Sequence, residues 1–283
     1  MSTKTTLVLE AGTKPMQASL KAIRPPTPSA TKRREAQYLR RADALAASGQ
    51  VEKAIVHLRK LVTVLPGSTQ GYLRMAALLR REKRCGEAVE VLRGAVAHSP
   101  GCLASRGALA ETCLESGRWD EAIVHSKALI ALCPHSLFAR NVLSAAYLQR
   151  GLIDQALRVT EEMIRLDPLD ATSHYKRGVL LQQRGQIGPA IQAFTRALEM
   201  RPEPELAEES RTALEILDSL QIRQILTLAI EDMAFRLRLL QDTAEAIAEK
   251  GFLLSTCGLH ALEQICFDDL PEAPCGWRQY TYH

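Results

Sequence analysis

The side chains best suited to binding in this sequence are cations standing beside apolar or aromatic residues. Arg40 follows Leu39, Arg74 follows Leu73 and Lys176 follows Tyr175, and Asn141 and the pair Arg80 and Arg81 complete the set. A guanidinium can grip a carboxylate through two parallel hydrogen bonds while an adjacent apolar side chain holds an aliphatic group. The combination therefore suits a peptide or helix with acidic groups. The residue types used in catalysis are present but not arranged for it. His57, His98, His125, His135, His174, His260 and His283 are scattered, and no nucleophile elbow, zinc-protease helix, P-loop or dinucleotide fingerprint occurs. Cys257 and His260 are three apart on an expected helix and could share a face, yet neither an orienting group nor an oxyanion site accompanies them. No enzyme, metal site or cofactor is expected.

The elements that must carry these residues are marked by a period of 34. Pro66, Pro100, Pro134, Pro168 and Pro202 recur at that interval, with Ala54, Ala88, Ala122, Ala156 and Ala190 twelve residues before them. Gly49, Gly117, Gly151 and Gly185 precede four of those alanines by five residues, and Lys83 takes the glycine place in the second unit. A second small-residue column runs Ala42, Ala76, Ala110, Ser144, Gly178. Two helices with facing small residues can approach closely, a left-handed glycine ends the first, and proline stops the second. The expectation is an all-α chain of helical hairpins.

Period, columns and helical spacing together resemble the tetratricopeptide repeat over about 35–204, in five units: 35–68, 69–102, 103–136, 137–170 and 171–204. The resemblance implies a solenoid whose first helices line a concave groove, which places Leu39, Arg40, Leu73, Arg74, Arg80, Arg81, Asn141, Tyr175 and Lys176 in that groove. Stretches for the first helices sum to a charge of +8, against −1 for the rest of the repeats. The lysine and asparagine clamp of the chaperone-binding subfamily is not reproduced, because Leu39, Asp43 and Arg74 stand at its places. Tyr38 and Tyr72 fill a large-residue column that continues with Arg106, Arg140 and His174, so the later units are expected to pack less tightly.

The flanks differ. Residues 1–34 carry seven Lys or Arg against one Glu and read as a disordered basic arm. After Pro202, residues 205–220 read as a capping helix. Residues 221–270 resemble the leader-peptide-like segment related to the nitrile hydratase α subunit, through Gln224-Ile225-Leu226, Asp232, Phe235-Arg236, Leu239-Leu240, Asp242, Ala246, Gly251-Phe252 and Leu254-Ser255. That resemblance implies a helical handle for a maturation enzyme, with 271–283 as an aromatic tail.

Cysteine usage indicates no disulfide framework or zinc site, no secretory signal or membrane span is read, and a cytoplasmic location is expected. From 203 onward, 15 carboxylates face six cations. The reading is a non-enzymatic adaptor or scaffold that binds an acidic protein or peptide partner in a basic groove, with 203–283 docking on that groove within one chain or between copies. Alternatives are a precursor or recognition module in ribosomal peptide modification and a nucleic-acid binder using Lys32, Arg33 and Arg34. Nucleic acid ranks last, because few aromatics are available for base stacking.

Overall fold

Each glycine that ends a first helix does so in the left-handed region, with φ of 77° at Gly49, 74° at Gly117, 69° at Gly151 and 78° at Gly185. Lys83 adopts the same conformation at 60°, so the turn is kept where the residue type changes. The computed structural model describes residues 28–267 and 270, and among them no strand occurs. Five first helices, α1 (Pro28–Ala47), α3 (Thr69–Arg81), α5 (Leu103–Glu115), α7 (Leu137–Gln149) and α9 (Ala171–Gln183), alternate with five second helices. These are α2 (Val51–Val64), α4 (Cys85–His98), α6 (Trp119–Leu132), α8 (Ile153–Leu166) and α10 (Ile187–Glu199). Neighbouring first helices touch directly along α1, α3, α5 and α7, while second helices pack mainly on the first helices either side of them. This difference curls the stack into a solenoid with the first helices inside.

Close packing within a unit rests on paired columns. Ala54, Ala88, Ala122, Ala156 and Ala190 are fully buried. Opposite the column from Ala42 to Gly178 stands Leu58, Leu92, Ser126, Thr160 or Phe194, and each pair shares its volume differently. Ala42 with Leu58 and Ala76 with Leu92 are the ordinary solution, each buried leucine contributing about 2 kcal/mol. In the fourth unit Ser144 and Thr160 join their hydroxyls at 2.9 Å. In the fifth, Gly178 makes room for Phe194, whose ring would lie 2.6–2.8 Å from any added Cβ. Only in the third unit is the pair incomplete, since the Ser126 hydroxyl is buried without a partner among the described residues.

In the later units the large-residue column is held by polar contacts. Arg106 donates to the Pro100 carbonyl at 2.8 Å, Arg140 donates to that of Pro134, and His174 Nε2 lies 3.0 Å from that of Pro168. A polar residue in this column fastens the turn between units through a carbonyl six residues back. Tyr38 and Tyr72 instead stack on His57 and His98 of their own second helices.

Both flanks depart from the expected boundaries. The helix of the first unit begins at Pro28, so Lys32, Arg33 and Arg34 lie on α1 and not in an arm. Pro28 provides a first-turn residue that needs no N–H partner, and the run that follows contains good helix formers. The arm over 1–27 and the tail over 271–283 lie outside the described residues. At the other end α11 (Pro204–Glu231) runs unbroken through the expected division at 220. Thirty-four residues after Gly185 stands Ser219, which offers no left-handed turn, and the helix continues.

Asp232 then ends α11 and caps α12 (Met233–Gln241), its carboxylate accepting from the N–H groups of Ala234 and Phe235. Those bonds, the one from Phe235 foremost, together with Lys250, hold its pKa below the usual carboxylate value. Asp242 caps α13 (Thr243–Glu249), and Ser255 caps α14 (Thr256–Glu263). Phe235, Leu239, Ile247, Leu262 and Phe267 bury a separate small core against Ile225 and Ala229 of α11.

Candidate functional site

The inner wall is built from side chains on successive first helices, and its cations are largely engaged with the neighbouring helix. Arg74 of α3 pairs with Asp43 of α1. Arg80 reaches Glu111 at 2.8 Å and also pairs with Glu115, both on α5. Burial works against the Arg80 charge, but hydrogen bonds and charge from Glu115 and Glu111 outweigh it and raise the pKa. Lys176 of α9 donates to the Asn141 side-chain oxygen on α7, and burial lowers the lysine pKa despite the nearby Asp170.

The remaining expected residues divide in two. Leu39 and Leu73 are half-buried and pack on the core of the first units, where they support the wall more than they project from it. Arg81 is exposed near the end of α3, with Glu82 at 3.9 Å. Arg40 is exposed on α1 together with Arg33, Gln37 and Arg41, at the open end of the stack. All nine lie on first helices, but they do not form one uniformly basic strip.

At its far end the wall is closed by α11, which packs against α10 and α9. Tyr175 stands where α9 meets α11, its ring 5.5 Å from that of Phe194. A cleft of about 630 Å³ opens there, lined by Tyr175, Gln182, Glu205, Glu208, Glu209, Thr212, Ala213 and Ile216. Burial, reinforced by a hydrogen bond to Glu209, raises the Tyr175 pKa, so the phenol keeps its proton and donates. This end of the wall is acidic.

Two tetratricopeptide-repeat family models match the sequence, over 79–131 and over 143–215. Over those residues the hairpins are tetratricopeptide repeats. Solved structures of similar fold include a crystal structure of MamA, 21% identical over 56% of this chain and 94% of that one, with a TM-score of 0.52. MamA from residue 41 to its end, from Desulfovibrio magneticus RS-1, is 17% identical over 59% and 94%, with a TM-score of 0.53. YrrB, described as a tetratricopeptide-repeat protein with an unusual peptide-binding site, is 16% identical over 65% and 98%, with a TM-score of 0.53. No curated protein matches the chain. Repeats of this kind make a scaffold for protein–protein interaction.

Sequence reasoning missed two features of the tetratricopeptide-repeat wall. Phe138 is 45% exposed and lies over Gly107, where an added Cβ would come within 3.1 Å of its ring. The signal was available: Gly107 lacks the side chain that Leu73 and Asn141 supply in the same column, and an aromatic covers the gap. The second omission is the pairing of the cations. The partners are 31 or 35 residues apart, one period short by three residues or long by one, so a carboxylate at either distance marks a neutralised arginine, and Asn141 holds Lys176 in the same manner.

The close Cys and His pair is not buried. Cys257 and His260 are both exposed on α14, and His260 Nδ1 lies 3.9 Å from Glu263. Among the described residues no group of three His, Cys, Asp or Glu side chains is placed to hold a metal ion. No described helix is long and apolar enough to cross a membrane. Within one chain the described part of 203–283 does not lie along the groove, for α11 closes the end of the solenoid and α12 and α14 pack on α11. The cause is the unbroken α11, which carries the later helices past the end of the wall.

Proposed function

We propose that this tetratricopeptide-repeat scaffold is a non-enzymatic adaptor that binds a polypeptide segment along the inner wall formed by α3, α5 and α7. The observation that carries the reading is Phe138, a large aromatic held half-exposed above Gly107 between the first helices of two units. Such a ring offers apolar contact area at little loss of side-chain freedom. Arg81 stands exposed on the same layer of helices, and Arg74, though paired with Asp43, remains partly accessible and can exchange that partner for an incoming carboxylate. The occupant is therefore a segment with an aliphatic or aromatic residue for Phe138 and acidic residues directed at α3.

Peptide selection from a random library on the immobilised chain tests this. Enrichment of Asp and Glu interleaved with apolar residues is expected, with binding weakened by at least about tenfold in Phe138→Ala and in Arg74→Glu with Arg81→Glu. Selected peptides without acidic enrichment, or binding indifferent to both variants, would overturn the reading. The similar fold of YrrB, described as having an unusual peptide-binding site, favours a peptide-binding role by analogy.

A further inference from the structure

The two ends of the stack are opposite in charge and differ in what covers them. At the start, α1 exposes Lys32, Arg33, Arg34, Arg40 and Arg41. Its two carboxylates are already committed, Glu35 accepting from Ser68 Oγ at 2.6 Å and Asp43 pairing with Arg74. None of the five cations has an ion-pair partner among the described residues. At the finish, the first four turns of α11 expose Glu205, Glu208, Glu209 and Glu215 against one cation, Arg211, which pairs with Glu208 at 2.9 Å.

The period says what α1 lacks. Arg74 reaches back to Asp43 on the preceding first helix, and Lys176 reaches back to Asn141 in the same way. Arg40 is their equivalent one unit earlier, and no described helix precedes α1. An acidic helix laid beside α1 would give Arg40 what Asp43 gives Arg74. The 27 residues before α1 carry four cations and one carboxylate, and 271–283 carry one of each. Charge therefore favours neither segment as the cover, whereas α11 has the required charge at the opposite end of the stack.

We propose that the chain self-associates head to tail, the basic face of α1 (Arg33, Arg40, Arg41) in one copy seating against the acidic cleft of α11 (Glu205, Glu208, Glu209) in the next. Tyr175 forms part of that cleft and presents an aromatic ring to an entering guanidinium. The contact joins two different surfaces, so each added copy leaves one head and one tail free, and the assembly grows unless it closes into a ring. This surface is separate from α3, α5 and α7, and its occupant does not depend on the peptide proposed above.

Sedimentation equilibrium of the full chain at low and high salt tests the proposal. Reversible association is expected at low salt, weakening by about tenfold or more toward roughly 0.5 M salt as the opposed charges are screened. Arg33→Glu with Arg40→Glu and Arg41→Glu should leave the chain monomeric, as should Glu205→Arg with Glu208→Arg; circular dichroism should be unchanged, and melting should fall only slightly in the second variant, which gives up the Glu208–Arg211 pair and a first-turn carboxylate of α11. An equimolar mixture of the two variants should associate again, since each supplies the charge the other has lost. A wild-type monomer at low salt, association untouched by either reversal, or a mixture that stays monomeric would each overturn it. Should a triple or double reversal unfold, the Gln versions of the same positions give the graded loss by which the proposal stands or falls.

Discussion

The repeats and the C-terminal helices are held together in contrasting ways. In the repeats, stability is spread over columns in which each unit presents the same kind of contact to the next. Five alanines are fully buried at one register, and the facing pairs vary from Ala with Leu to Gly with Phe without disturbing the hairpin. In the C-terminal helices a few polar contacts hold the return of the chain onto α11. Buried Asp218 accepts from the Ser255 N–H at 2.9 Å and from its hydroxyl, while Ser255 Oγ accepts from Gly258 N–H at 3.1 Å. Gln221 donates to the Leu253 carbonyl and accepts from the Leu253 N–H. Repetition tolerates substitution, and a single clasp does not.

The largest effect should follow from breaking that clasp. Asp218→Ala leaves a buried N–H and a hydroxyl without partners, and hydrogen bonds to a charged group are the stronger kind, so a loss of about 3 kcal/mol is expected. Because the small core of α12–α14 is separate from those of the repeats, the loss should be local. Hydrogen exchange should rise over 233–263 while α1–α8 keep their protection. Asp218→Asn retains an acceptor for the Ser255 N–H and should lose less than half as much. Uniform destabilisation of the whole chain would show that the C-terminal helices and the solenoid are one cooperative unit.

The comparable break in the repeats is Gly178→Ala. The added methyl would enter the Phe194 ring, and overpacking of this kind costs about 2 kcal/mol. Adding Phe194→Leu recreates the pair that Ala76 and Leu92 form in the second unit, and the double variant should recover most of the loss in thermal or urea unfolding. Additive losses would mean that the columns are not interchangeable between units.

The same contrast explains how much the sequence discloses. Glycine, proline and alanine columns are legible because each residue type answers a local backbone or packing requirement that recurs every 34 residues. Lys83 could be assigned to the turn only by its place in the period, since nothing in lysine itself favours φ of 60°. All nine expected groove residues fall on first helices, but summed charge did not reveal that Arg74, Arg80 and Lys176 are tied to neighbours. Their partners lie on other helices, at separations meaningful only once the stack is known. The Asp218 clasp was hidden for a stronger reason: no second example exists in the chain, and a lone acidic residue on an expected capping helix reads as solvent-facing. Likewise the division at 220 followed a change in composition, whereas the helix answers to the missing glycine at 219.

Lys83 offers the smallest and most exacting test of the repeat logic. A left-handed conformation costs an L-residue with a side chain about 1 kcal/mol or more, and glycine avoids that strain while giving up some of the gain to its greater freedom in the unfolded chain. Lys83→Gly should therefore stabilise the protein, by about 0.5 kcal/mol, as the turn between α3 and α4 comes to match Gly49, Gly117, Gly151 and Gly185. The lysine is exposed, so no packing is lost with it. Lys83→Ala keeps the left-handed strain and should gain nothing, and urea midpoints for the two variants separate conformational relief from loss of charge. If alanine stabilises as much as glycine does, the repeated glycine is not there for its φ, and the register on which the five units were aligned would need another physical cause.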